Sequence, residues 1–172
     1  MISTKITIIG GGLSGLYAAY LLEQAGITDY VLLEARNRLG GRIYSNQGFD
    51  LGAAWIWPDI NPELMQLLEK LELTAFEQNE LGDILIEKSL NSTPIRLPKQ
   101  FYATQFMRLV NGMDSLIQAL KQQIPTHKII TDQQVLDLTI QASGLVKITT
   151  NSQTRKVSEY QAQHVLMALE QR

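Results

Sequence analysis

The sequence predicts an α/β fold built on a parallel sheet, and three observations carry that expectation. A short apolar run, Lys5 to Ile9, leads directly into the glycine cluster Gly10-Gly11-Gly12-Leu13-Ser14-Gly15. The stretch from Leu13 to Ala25 has helical character and ends at Gly26, a residue type suited to the left-handed position after a helix. Tyr30 to Leu33 then forms a second apolar run of strand length. Strand, turn, helix and strand within about thirty residues make one βαβ unit, whose crossover should be right-handed and whose strands should be parallel. This is half of a Rossmann-like sheet.

A chain of 172 residues can bury one good core, or one domain with a smaller outgrowth, but not two full domains. With 45% apolar and 19% charged residues it fits neither a disordered nor a fibrous class. The net charge of -2, with basic residues dispersed along the chain, leaves no electrostatic footprint for a nucleic-acid or membrane-surface partner. Small molecules are the expected ligands. The absence of cysteine excludes disulfides, thiolate metal sites, redox-active thiols and a cysteine-linked cofactor within this chain. Met1 to Ile6 runs straight into the first strand without the pattern of a signal peptide, and no apolar run is long enough to span a bilayer. A cytoplasmic address is the simplest expectation.

Further along, Asn61-Pro62-Glu63 reads as a helix start with Asn as cap, followed by Leu64, Leu67, Leu68 and Leu71 on one face. Between Gly82 and Leu97, short alternating stretches around Ile84 and Ile86, then Ile95 and Leu97, flank Asn91-Ser92 and predict a small β excursion outside the main sheet. Met113, Leu116, Ile117, Leu120 and Ile124 line a second amphipathic helix that Pro125 closes. From Ile129 onward the chain reads as strands: Val135 to Ile140, a turn at Ala142-Ser143-Gly144, Val146 to Thr149, and His164 to Leu169. The last run is apolar enough to predict a buried strand. His127 and His164 have no neighbours at catalytic or metal-binding spacing, so both are expected to be structural or surface residues, and no metal ligand is assigned.

The glycine cluster satisfies G-x-G-x-x-G between a strand and a helix, where its mechanism requires it. Gly10 permits the tight turn, Gly12 lets backbone approach a pyrophosphate, and Gly15 lets the helix lie close to the sheet. The helix start at Leu13 and Ser14 then offers N–H groups and the positive dipole end to phosphates. Glu34 stands at the end of the second strand, where a carboxylate accepts hydrogen bonds from the adenosine ribose and disfavours a 2′-phosphate. The bland alternative, a plain loop beside a solvated acid, leaves the joint placement of strand, glycines, helix and acid unexplained. By itself this fingerprint does not separate NAD from FAD.

The continuation does. Glu34-Ala35-Arg36-Asn37-Arg38-Leu39-Gly40-Gly41-Arg42 resembles the E-A-R-x-R-x-G-G-R segment of the flavin-containing amine oxidases. Gly40 and Gly41 would let backbone lie near a ligand, Arg42 offers a planar charged fork, and Arg36 would pack on the adenosine, whereas Arg38 also fits a solvated loop position. Phe49-Asp50-Leu51-Gly52-Ala53-Ala54-Trp55-Ile56 is similar to the family's D-x-G-[GA]-x-W-[IV] stretch. Small side chains at Gly52, Ala53 and Ala54 leave room for a flat ring system beside Trp55; a strand end with a core tryptophan is the competing reading. Asn111-Gly112-Met113, with Leu116, Ala119 and Leu120, resembles the family's G-G-M-x-x-L-x-x-A-L helix start, with Asn111 in place of the first glycine. Val135 matches the position at which the family pairs backbone with the adenine edge, and Ala162 to Ala168 resembles the strand returning to the dinucleotide sheet.

The resemblance implies a Rossmann-like FAD-binding domain with a mixed sheet: residues 1–75 as the dinucleotide core, 76–110 as a small excursion standing for a reduced substrate-domain part, and 111–172 as helix, hairpin and returning strand. FAD is the implied cofactor and a small amine the implied substrate, oxidised at its C–N bond by hydride transfer to flavin N5. The chain departs from the family at Leu169-Glu170-Gln171-Arg172, where members carry a proline-containing turn. The lysine near flavin N5 and the final glycine-rich segment have no counterpart here, so no general base is assigned and a complementing chain is an expected partner. The rival classes are a non-catalytic or truncated dinucleotide-binding module and a small NAD-binding protein.

Overall fold

The computed structural model describes residues 2–79, 82–98 and 106–169. Glu170 to Arg172, where the sequence leaves the family pattern, lie outside the described residues. In chain order the elements are β1 (Ile2–Ile9), α1 (Leu13–Gln24), β2 (Tyr30–Leu33), β3 (Ser45–Asn46), β4 (Phe49–Asp50), α2 (Pro62–Lys70), β5 (Ala75–Glu77), β6 (Ile84–Ile86), β7 (Ile95–Leu97), β8 (Met107–Leu109), α3 (Asp114–Gln122), β9 (Ile129–Ile130), β10 (Gln134–Ile140), β11 (Val146–Asn151) and β12 (Val157–Met167). They fall into two compact units, Met1–Ala53 together with Asn111–Arg172, and Ala54–Val110.

The first unit holds a six-stranded mixed sheet in the order β10-β11-β12-β1-β2-β9. β12, β1, β2 and β9 run parallel, and β10, β11 and β12 form an antiparallel meander. Four consecutive apolar residues make β2 a strand without a polar face, which suits a place between two parallel neighbours, and all four are buried. β1 pairs with β2 only from Ile6 to Ile9, and its burial follows that pairing: Ile8 is fully buried while Ile2 at the free end is exposed.

α1 is apolar almost all round, and it buries Gly15, Leu16, Ala19 and Tyr20. It stops at Ala25, with Gly26 at φ 69° as the sequence predicts. α3 packs beside it. The five apolar residues expected on one face of this second helix, Met113, Leu116, Ile117, Leu120 and Ile124, are all buried, each contributing roughly 2 kcal/mol of transfer free energy.

The returning strand corrects one expectation. β12 begins at Val157 rather than at His164, and Tyr160 and Ala162 in its first half are the buried residues. The predicted buried run at its end is exposed, with Leu166, Met167 and Leu169 at 44%, 63% and 58% of their full accessibility. Here, among the described residues, β12 is paired with β1 alone, because β11 runs beside it only from Val157 to Ala162, so an apolar run at this end reports sheet membership and not burial.

Within the second unit, β5 pairs with β8 and β6 with β7, each as a separate two-stranded sheet. β6 and β7 are the excursion read from Ile84 to Leu97, and they stand outside the main sheet as expected. The unit starts at Ala54 and takes in α2, whose Leu67 and Leu68 are buried. Asn61 holds the N-cap position with Pro62 as the first helical residue, but its side chain makes no capping hydrogen bond; its backbone, at φ -125° and ψ 60°, lies outside the extended region from which Asx side chains reach the first turn. Ile56 and Met107 exchange two backbone hydrogen bonds of 2.9 Å, tying the start of the unit to its end.

Candidate dinucleotide-binding site

Three chain segments converge on the N-terminal end of α1. The first is the glycine cluster itself. Gly10 adopts φ 111°, a conformation that L side chains rarely take, and a Cβ on it would lie 2.5 Å from the Ala168 carbonyl oxygen. A Cβ on Gly15 would lie 1.9 Å from the Gly10 carbonyl oxygen, so the helix can touch the turn only because this residue has no side chain. Gly12 differs. Its missing Cβ would meet only the Gly41 Cα, at 3.8 Å, leaving open space at the helix start. Gly12 is the N-cap residue and offers no side-chain cap, so the first N–H groups of α1, those of Leu13 and Ser14 among them, are left to backbone and ligand partners.

The second segment is the end of β2. Glu34 is buried and turns toward the glycines: one carboxylate oxygen accepts the Gly11 N–H at 2.6 Å and the other the Arg36 N–H at 2.9 Å. Each oxygen keeps a further lone pair for a hydroxyl donor. The backbone beyond Glu34 is stitched to the segment after β9, with Gln133 N–H donating to the Glu34 carbonyl and Asp132 N–H to the Arg36 carbonyl, both at 2.9 Å. Val135, half-buried at the start of β10, follows directly on that stitch. Ala35 and Arg36 are exposed beside it.

The third segment is the turn at Gly40 and Gly41, both left-handed with φ 96° and 58°. Gly40 N–H donates to the Gly11 carbonyl at 2.8 Å, and a Cβ on Gly41 would press to 3.2 Å from the Gly12 Cα. The two glycine loops therefore lie against each other through backbone. Arg38 is not a solvated loop residue: its guanidinium donates to the carbonyls of Leu39 at 3.1 Å and Gly41 at 3.0 Å and lies 4.8 Å from the Tyr44 ring centroid. Arg42 is exposed at the end of this turn.

The stretch from Asp50 to Trp55 divides between the units. Gly52 lies against Arg42, since a Cβ on it would be 1.9 Å from the Arg42 carbonyl oxygen; this and the Leu51 N–H to Tyr44 carbonyl bond of 2.8 Å align the two sequence motifs side by side. Gly52 and Ala53 are exposed and close the first stretch of the first unit. Ala54 and Trp55 open the second unit, where Trp55, exposed by 47%, meets Phe106 edge to face at 6.2 Å and Arg108 at 5.6 Å. Trp55 is thus not a core residue.

Sequence reasoning missed three residues that shape this end of the molecule. Asp50 accepts the Ser45 hydroxyl at 2.7 Å and the Met113 N–H at 3.0 Å, capping α3 from a distant strand, and Gly112 at φ 74° makes room for it. Ala168 abuts Gly10 and Gly15 through its backbone and methyl group. Arg38 braces the second loop. No local pattern announces the first two, because their partners are more than sixty and more than one hundred and fifty positions away.

A strand and a helix joined by this glycine turn, with a carboxylate at the end of the next parallel strand, define a dinucleotide-binding domain of Rossmann type. The family described as NAD(P)-binding Rossmann-like domain matches residues 8–71. The chain is 37% identical over 98 residues to human amine oxidase [flavin-containing] B, a match covering 54% of this chain and 18% of that protein. It is 31% identical over 130 residues to the zebrafish amine oxidase [flavin-containing], covering 70% of this chain and 24% of the relative. A solved putrescine oxidase redesigned in cofactor binding superposes with a TM-score of 0.77 at 16% identity, over 98% of this chain and 58% of that one. These matches make the chain similar to the N-terminal part of flavin-containing amine oxidases, and it spans about a fifth of the length of the curated relatives it matches.

Proposed function

We propose that this chain binds FAD and serves as the adenosine-diphosphate anchor of an oxidoreductase acting on a C–N bond of a small amine. The observation carrying this reading is the open space beside Gly12, at a helix start with no side-chain cap, next to Gly11, whose N–H is held by the buried carboxylate of Glu34. Gly10, Gly12 and Gly15 would shape the pyrophosphate cradle, with Leu13 and Ser14 supplying backbone donors from the helix start. Glu34 would accept the ribose hydroxyls without giving up Gly11 or Arg36. Ala35, Arg36 and Val135 would frame the adenosine, and Gly40, Gly41 and Arg42 would complete the phosphate clamp. Gly52, Ala53, Ala54 and Trp55 are the proposed flavin-ring neighbours. The names of the human and zebrafish relatives, both flavin-containing amine oxidases, support flavin as the second half of the dinucleotide.

FAD, when bound, supplies the hydride acceptor at N5, and the protein's share is to hold it, orient it and keep water out. None of the described residues is assigned as a general base. The second reading is a module that holds the dinucleotide without turnover. Localisation in the cytoplasm stays part of the proposal; among the described residues no helix is long and apolar enough to cross a membrane. The division of labour between a cofactor core and an excursion related to a substrate domain, and a complementing chain that finishes the site, belong to the same proposal.

The test is FAD binding by fluorescence quenching. Gly12→Val should weaken it by about a hundredfold, because a branched side chain fills the phosphate space, while the melting temperature stays near wild type. Glu34→Gln keeps an acceptor for Gly11 and should weaken binding about tenfold, the value of one charge-assisted hydrogen bond. Equal affinity in both variants would sink the site. Adding small primary and secondary amines to the FAD-loaded protein without oxygen then separates the two readings: bleaching of the flavin absorbance marks the oxidoreductase, and an unchanged spectrum the binding module.

A further inference from the structure

We infer that Arg38 is a positioning residue for the cofactor phosphates, acting through backbone and not through its charge. The inference rests on the FAD-binding reading above. Gly40 and Gly41 are consecutive left-handed residues, the least restrained backbone a chain can have, yet they form the surface pressed on Gly11 and Gly12. Backbone ties them to the first loop through the Gly40 N–H to Gly11 carbonyl bond, within an isolated parallel bridge between Gly12 and Gly40, and the Ile43 N–H closes the turn on the Gly40 carbonyl. Arg38 adds a side-chain restraint on the carbonyls flanking Gly40. Its two terminal nitrogens hold the carbonyls of Leu39 and Gly41, the residues on either side of Gly40, and its plane is backed by Tyr44.

A guanidinium fits this role because it is rigid and planar and presents parallel donors, so one side chain can fix two carbonyls at once. A lysine carries the same charge on a compact ammonium that stacks less well and has no fork. With the carbonyls of Leu39 and Gly41 held by the side chain, the Gly40 N–H stays aimed at Gly11, and Gly12 keeps its shape without a ligand. Binding to such a loop avoids the entropy of ordering it at the moment of contact. Arg38 also borders a cleft of about 710 Å³ whose lining includes Tyr44, Asp114 and Lys121.

The experiment compares Arg38→Lys and Arg38→Ala with wild type, measuring dissociation constants for FAD and ADP by calorimetry and for adenosine by NMR titration. Both variants should lose about tenfold for FAD and ADP and less than about twofold for adenosine, which carries no phosphate. Restoration by lysine would show that charge matters and overturn the inference. An equal loss for adenosine would do the same, because it would reflect a general loosening of the domain. If the alanine variant does not fold, the lysine variant alone decides, since it keeps the long stem and the charge. Wild type that binds neither FAD nor ADP overturns the cofactor reading and this inference with it, whereas tight binding by all three proteins overturns only the role of Arg38.

Discussion

The two ends of α1 are built on opposite principles. At its start backbone dominates: Gly10, Gly12, Gly15, Gly40 and Gly41 meet through backbone, Gly11 lies against the side chains of Glu34 and Leu39, and the helix has no side-chain cap. At its end a buried polar cluster fills the space. Lys128 donates to Glu23 at 2.5 Å, Tyr30 donates to the same oxygen at 2.6 Å, and the ammonium lies 4.5 Å from the Tyr30 ring centroid. Lys128 and Tyr30 are almost wholly buried. The contrast has a physical logic. A helix start without a side-chain cap leaves its first donors under-satisfied, so it adds little to the stability of the fold. The helix must then be fixed from elsewhere, and the far end ties it to β2 and to the turn before β9.

The comparison breaks most visibly at Gly15. Gly15→Ala places a methyl group 1.9 Å from the Gly10 carbonyl, where only backbone movement can relieve the clash. The expected loss is about 3 kcal/mol of stability, read by urea unfolding, together with loss of FAD binding. An alanine variant as stable as wild type would mean that helix and turn need not touch. Lys128→Met probes the other end. Removing the ammonium leaves the Glu23 carboxylate half-buried beside an apolar side chain, and about 2 kcal/mol should be lost, discounted from a fully buried pair because Glu23 keeps 17% of its side-chain exposure. FAD affinity should change by less than about threefold. Parallel losses of stability and affinity would show that the two ends are not separable.

The difference between the ends also marks what the sequence revealed. The glycine end is written in local pattern: glycines at fixed offsets between a strand and a helix, with an acid closing the next strand, so the turn at Gly10, Gly12 and Gly15 and the place of Glu34 beside it were legible from spacing alone. The elements around it were equally legible, because β2 is apolar throughout, α1 is apolar over most of its length and α3 repeats its apolar residues at helical spacing. The anchoring end is written in tertiary contact. Glu23 and Lys128 are one hundred and five positions apart, and a glutamate near a helix end reads as a solvated charge until its partner is seen. The same holds for Asp50 over the start of α3. The hairpin of β3 and β4 escaped notice because two-residue strands leave no period to detect. At β12 the sequence misled for a different reason, since hydrophobicity records what a surface is suited to contact, whether or not anything described covers it.

The smallest effect, and the one that isolates the anchoring end, is its pH dependence. Hydrogen bonds from Lys128 first and Tyr30 second hold the Glu23 carboxyl below its ordinary value near 4.5, against the opposing pull of burial. A depressed folded-state value means that the unfolded chain takes up the proton first as pH falls. The cluster therefore contributes fully above about pH 4.5 and loses its contribution as pH drops through the lower folded value. Burial first and Glu23 second push Tyr30 above its ordinary value of 10, so on the alkaline side the unfolded chain ionises while the folded chain does not, and stability declines above that pH. Urea unfolding of wild type and Lys128→Met from neutral pH down to about pH 3 should show the two stability curves converging on the acid limb, because the variant has already lost the main cause of the Glu23 shift. Curves that stay parallel would mean that Glu23 titrates alike in folded and unfolded chains, and that Lys128 holds the helix by packing its stem and not by its charge.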